Sequence, residues 1–142
     1  MNEIRKPLLA ITMGDPAGIG PEIAVRALTD EYVLNIARPV LIGKKKYIQE
    51  AAKLCDIDCK INSIKHIEDA AFFPQTINVY ELDTLSTKDI KHGEISAIGG
   101  EIAFQSVKTA IELAMAGDVD GTVTAPINKE ALILAGHHFA GH

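Results

Sequence analysis

Short unbroken apolar runs alternate along this chain with stretches whose apolar positions recur at helical spacing. Leu8 to Thr12 is the first run, and a glycine-rich turn separates it from a helix expected over 21–29. Pro39 to Ile42, closed by Gly43, predicts a second strand, and Ile48, Ala51, Ala52 and Cys55 follow at helical spacing. Residues 57–82 are less regular: Ile61 to Ile64 and Thr76 to Leu82 read as strands, with Pro74 punctuating the stretch between them. Residues 83–95 read as a polar loop. The strongest helical pattern runs from Ser96 to Ala116, with Ala103, Val107, Ala110, Ile111 and Ala114 on one stripe and Gly117 placed as the C-terminal cap. Val119 to Val123 predicts a short strand, and Asn128 to Ala135 a short helix with Asn128 as N-cap and Gly136 as C-cap.

Alternation of this kind predicts an α/β fold with a largely parallel sheet and helices on both faces. Ligands of such sheets collect beyond the carboxyl ends of the strands, which directs attention to three loops: 13–20, 43–46 and 124–128.

Composition narrows the classes. The chain has 142 residues, about one domain, and a globular chain of this size buries roughly two thirds of its unfolded surface. At 47% hydrophobic and 23% charged it is an ordinary folded chain and a poor disordered one. A formal charge of −5, with Lys44, Lys45 and Lys46 as the only basic cluster, argues against nucleic acid as a partner. That cluster reads as a solvated helix start. No apolar stretch is long enough for a membrane span, and Pro7 to Met13 is too short for a signal-peptide core, so a cytoplasmic location is expected. Cys55 and Cys59 have no second cysteine pair to complete a zinc site and read as structural or incidental thiols.

The chemistry concentrates in two segments. In the turn between the first strand and helix, Gly14, Asp15, Gly18 and Gly20 precede Pro21 and Glu22. A dinucleotide fingerprint begun at Gly18 and Gly20 would need a small residue where Ile23 stands, and a P-loop begun at Gly14 would need Gly, Lys and Ser or Thr where Ile19, Gly20 and Pro21 stand. Neither pattern fits. A tight turn with no ligand and a ligand-facing loop whose amides meet an anion both remain open. Near the other end, His137, His138 and His142 invite three readings: a shared metal site, a substrate or structural role, or exposure to solvent.

The run Gly14-Asp15-Pro16-Ala17-Gly18-Ile19-Gly20-Pro21-Glu22, taken with Thr124-Ala125-Pro126-Ile127-Asn128-Lys129-Glu130-Ala131-Leu132 and Gly141-His142, resembles the 4-hydroxythreonine-4-phosphate dehydrogenase family (PdxA). The first run also looks like an expanded form of the glycine loop of isopropylmalate and isocitrate dehydrogenases. The resemblance implies that residues 1–142 are the N-terminal part of such a dehydrogenase, with the remainder of the family's length absent and the isocitrate/isopropylmalate dehydrogenase-like fold incomplete. It implies oxidation of a secondary alcohol of a phosphorylated hydroxy acid by NAD, followed by decarboxylation, with a divalent metal, usually zinc, as Lewis acid. The substrate would be 4-phosphohydroxy-L-threonine, on the route to pyridoxal phosphate. His142 matches the family's substrate-contact histidine. Gly14, Asp15, Gly18, Gly20, Asn128 and Lys129 fall in its active-site loops. The metal histidines of the family come from later segments, so none is assigned within 1–142, and a polypeptide of these residues alone is expected to be inactive. A homodimer is implied for the full-length enzyme. Two alternatives stand beside this reading: a dehydrogenase of D-threonate or D-erythronate 4-phosphate, to which Thr124-Ala125-Pro126-Ile127-Asn128-Lys129 is also similar, and a non-catalytic binding module.

Overall fold

The structure, a computed structural model, describes residues 5–82 and 90–138. Its elements follow the chain as β1 (Leu8–Thr12), α1 (Gly20–Leu28), α2 (Glu31–Ile36), β2 (Arg38–Gly43), α3 (Lys45–Leu54), β3 (Lys60–Ile64), β4 (Thr76–Glu81), α4 (Ala97–Met115), β5 (Gly121–Val123) and α5 (Lys129–Leu134). The strands form one sheet in the order β3-β4-β2-β1-β5, and every neighbouring pair is parallel.

Two apolar clusters sandwich this sheet. Leu41, Ile77 and Val79 point to the face covered by Val25 and Leu28 of α1 and Ile48 of α3. On the other face Leu8, Ala10, Val40 and Ile42 meet Ala110 and Leu113 of α4. The run Val40-Leu41-Ile42 is wholly buried because β2 is central and has helices on both sides.

The alternation of strand and helix is observed as the sequence predicts, with two corrections. First, α2 was not expected. Asp30 caps it by accepting a hydrogen bond from the Tyr32 amide at 2.8 Å, but the helix buries no residue, so it carries no apolar stripe by which to be read. Second, the buried face of α4 is rotated from the predicted stripe. Ala103 and Ala110 are buried, but Ile102, Ser106 and Leu113 complete the face, while Ile111 is 45% exposed. The helix carries Gly99 and Gly100 where it meets the Asp15 turn and α5, and a buried Ser106, which together break a purely apolar periodicity. The predicted caps are in place: Asn128 accepts from the Ala131 amide at 3.0 Å, and Gly117 and Gly136 adopt positive φ at the ends of α4 and α5. Part of the predicted polar loop, residues 83–89, lies outside the described residues.

Candidate active site

Chain order and strand order diverge at β1. Strand β2 lies on one side of it and β5 on the other, which makes the β1/β5 crevice a switch point of the sheet. The loops that leave these two strands are joined. Thr12 Oγ1 accepts a hydrogen bond from the Ala125 amide at 2.9 Å. Gly14 has φ +78°, and a Cβ there would lie 2.7 Å from the Pro126 carbonyl oxygen. Only glycine allows that approach.

Between these loops and the segment that enters α4 lies a cleft of about 300 Å³. Asp15, Gly18 and Ile19 form one wall, Ile127 and Asn128 another, and Gly93, Glu94 and Ile95 the third. The Gly93 amide donates to the Ala17 carbonyl at 2.7 Å, so the third wall is tied to the first.

Asp15 organises the turn. Its buried carboxylate accepts from the Ala17 amide at 2.8 Å, and its backbone carbonyl accepts from the Gly18 amide at 3.0 Å. It also lies against the first turn of α4: a Cβ on Gly99 would sit 2.5 Å from Asp15 Oδ1. Burial pushes the Asp15 carboxyl above its ordinary value of 3.8, against the pull of the Ala17 hydrogen bond. Two amides that the sequence offered to an anion are thus engaged by Asp15 itself. With Glu94 opposite and apolar walls from Ile19, Ile95 and Ile127, the cleft suits hydrogen-bond donors better than a bare anion.

The family profile described as pyridoxal phosphate biosynthetic protein PdxA matches residues 35–142. The chain belongs to the PdxA family. It is 39% identical over 137 residues to a protein of Clostridium botulinum provisionally named a D-threonate 4-phosphate dehydrogenase, and 38% identical over 138 residues to a 4-hydroxythreonine-4-phosphate dehydrogenase of Trichlorobacter lovleyi. Each alignment takes in 96% of this chain and 41% of the relative. The crystal structure of a 4-hydroxythreonine-4-phosphate dehydrogenase from Burkholderia phymatum matches with a TM-score of 0.94 at 39% identity, covering 98% of this chain and 42% of that one. The chain therefore spans well under half the length of the PdxA proteins it matches.

Of the residues singled out in the sequence, Asp15, Gly18 and Asn128 line the cleft, while Gly14 and Gly20 hold its walls together from behind. A Cβ on Gly20 would meet the Met13 carbonyl oxygen at 2.2 Å. Lys129 is exposed and follows Asn128 at the start of α5. His142 lies outside the described residues. His137 takes the structural reading: its ring stacks on Phe104 at 3.6 Å between centroids, and its Nε2 lies 2.6 Å from Glu101 Oε2, clasping the end of α5 to α4. His138 is exposed.

The lysine cluster needs correction. Lys46 is exposed, but Lys44 is buried: its ammonium donates to the Leu82 carbonyl oxygen and pairs with Glu81 Oε1 at 4.0 Å. Glu81 also accepts from the Lys45 amide at 2.9 Å, which sets a carboxylate at the start of α3 and offsets the unfavourable cations there. The wall residues Glu94 and Ile95 were missed as well. They belong to a stretch with no periodic pattern, and only the Ser96 N-cap just after them marks where they sit.

Proposed function

We propose that this chain furnishes the β1/β5 crevice of a dehydrogenase that oxidises a phosphorylated four-carbon hydroxy acid, with 4-phosphohydroxy-L-threonine as substrate and NAD as hydride acceptor. The observation that carries the proposal is the meeting of the two motif segments, 14–22 and 124–132, in one cleft at the switch point of a sheet that matches a 4-hydroxythreonine-4-phosphate dehydrogenase with a TM-score of 0.94.

The described residues do not fit the divalent metal that the resemblance implies. Among them, no three His, Cys, Asp or Glu side chains gather in a group that could hold an ion. Nor does the glycine turn offer NAD either of the two familiar phosphate-binding patterns. The part of this chain in the reaction is to bind, orient and exclude water. Asp15 and Glu94 accept hydrogen bonds from the hydroxyl- and amino-bearing end of the substrate. Ile19, Ile95 and Ile127 keep water from that end. The phosphate is left to Lys129 and the segment that ends at His142.

A second reading, oxidation of D-threonate 4-phosphate, is favoured by the 39% identity to the Clostridium botulinum relative. One experiment separates the two. NAD reduction by the chain extended through the remaining length of its PdxA relatives, with a divalent metal added, is followed for each substrate in parallel. Faster turnover of 4-phosphohydroxy-L-threonine supports the proposal, faster turnover of D-threonate 4-phosphate moves the assignment to the second reading, and turnover of neither refutes both.

A further inference from the structure

We propose that residues 91–95 form a strap that opens and recloses over the cleft while the sheet stays folded, with the His92–Glu22 pair as its latch. The strap runs between two anchors. Ile90, before it, packs against the apolar cluster between the sheet and helices α1 and α3, and Gly99 and Gly100, after it, are buried in the first turn of α4. Between these anchors Lys91, His92, Gly93, Glu94 and Ile95 are all exposed, although the last three make up the third wall of the cleft. What this wall admits rests on the function proposed above; its motion does not.

The ties that hold the strap down are polar and exposed. Within it the Glu94 amide donates to the Lys91 carbonyl at 3.1 Å, closing a tight turn in which Gly93 takes φ +82°. A Cβ on Gly93 would meet nothing within 4 Å, so glycine serves the turn there and not a close approach. Among the described residues, the bond from the Gly93 amide to the Ala17 carbonyl at 2.7 Å is the one main-chain hydrogen bond that joins 91–95 to the rest of the chain. Beside it, His92 Nε2 lies 3.4 Å from Oε1 of Glu22, in the first turn of α1. Histidine and glutamate attract as ions only while the ring holds its proton. Glu50 and Tyr47 of α3 line a hollow of about 90 Å³ with both partners, which sets a second carboxylate on that side of the strap. The His92 and Glu22 side chains are 58% and 31% exposed, so their pairing shifts the opening equilibrium by only about two- to fivefold. Such a latch is easily undone. Segments with exposed main chain and few buried apolar side chains lie at the low end of the stability range within a fold, and binding-site lids are drawn from that end. Release of Gly93 from Ala17 therefore frees the third side of the cleft at far lower cost than disturbing the sheet.

The test is residue-resolved hydrogen exchange of the chain extended through the remaining length of its PdxA relatives, in mildly acidic buffer and without substrate, so that it stands apart from the substrate assignment. The Gly93 amide should exchange slower than an unbonded amide by about tenfold or more, because the closed state predominates, yet faster by about tenfold or more than the amide of Ala110, buried in the middle of α4. Low urea should speed exchange at Ala110 steeply and at Gly93 little, since local opening exposes little surface. H92Q and E22Q should each speed exchange at Gly93 about two- to fivefold with Ala110 unchanged, and the double variant should differ little from H92Q alone. Because the His92 ring is exposed, H92Q does not depend on tolerance of a core change. Exchange at Gly93 as slow as at Ala110, exchange as fast as at an unbonded amide, or a Gly93 rate unmoved by H92Q would each overturn the proposal.

Discussion

Gly14 and Asp15 show how much of a site can rest on two adjacent residues. Gly14 combines φ +78° with a close approach to the Pro126 carbonyl, so Gly14→Ala meets both backbone strain and a clash. The expected cost is about 1–3 kcal/mol, read as a lower melting temperature, and a loss of turnover larger than the stability change explains. Asp15 has the opposite signature. Because burial raises its folded pKa above the unfolded value, the folded state favours the protonated form. The stability from that form is present below 3.8 and is lost as the pH rises through the folded pKa. Asp15→Asn, which keeps the acceptor for the Ala17 amide, should therefore raise the melting temperature at neutral pH, with the gain shrinking in acid, while turnover falls. A lower melting temperature for this variant at neutral pH would show that the carboxylate stabilises the turn. The placing of both residues in a tight turn between β1 and α1 was legible in the spacing of glycines around an aspartate. The burial of Lys44 was not, since its partners Glu81 and Leu82 come from a different strand.

At the scale of elements, α4 connects the cleft to the core and to α5. Its buried face runs through Ile102 and Leu113, and Ile111 looks outward. Ile102→Ala should cost about 2–5 kcal/mol in thermal or denaturant unfolding, whereas Ile111→Ala should change stability by less than about 1 kcal/mol. Comparable losses from both would restore the stripe read from the sequence. The stripe differs because Gly99 and Gly100 lie on the buried face, where the Asp15 turn and α5 approach too closely for a side chain, and because Ser106, buried with its hydroxyl donating to the Ile102 carbonyl, interrupts the apolar period. A Cβ on Gly100 would stand 2.0 Å from the Ala131 carbonyl oxygen of α5. The clasp between the same two helices should be pH-dependent. Burial alone would raise the Glu101 carboxyl, but hydrogen bonds from Gln105 and His137 and the charges of His137 and Lys108 outweigh it and hold the carboxyl below 4.5. A depressed folded pKa contributes stability above the unfolded value that is lost as the pH falls through the folded one. Glu101→Gln should thus lower stability at pH values above 4.5 and flatten its decline in acid. A pH–stability curve parallel to that of the parent would contradict this.

Across the whole molecule, the parallel sheet was legible because its central strands are unbroken apolar runs punctuated by glycine and proline, and because helices intervene between most of them. Strand order was not. It depends on which face each crossover covers, and the split of β2 and β5 to either side of β1 is what turns two separate motifs into one cleft. Among the described residues, no helix is long and apolar enough to cross a membrane. On the proposed reading the substrate enters between the 14–20 and 126–128 loops. Backbone amide shifts on titration with 4-phosphohydroxy-L-threonine, in the chain extended through the remaining length of its PdxA relatives and shown to turn the substrate over, test this most directly. The largest shifts are expected at Asp15, Gly18, Glu94, Ile127 and Asn128. Shifts centred instead on the opposite edge of the sheet, around Arg38, or turnover with no shift at the cleft, would contradict that reading.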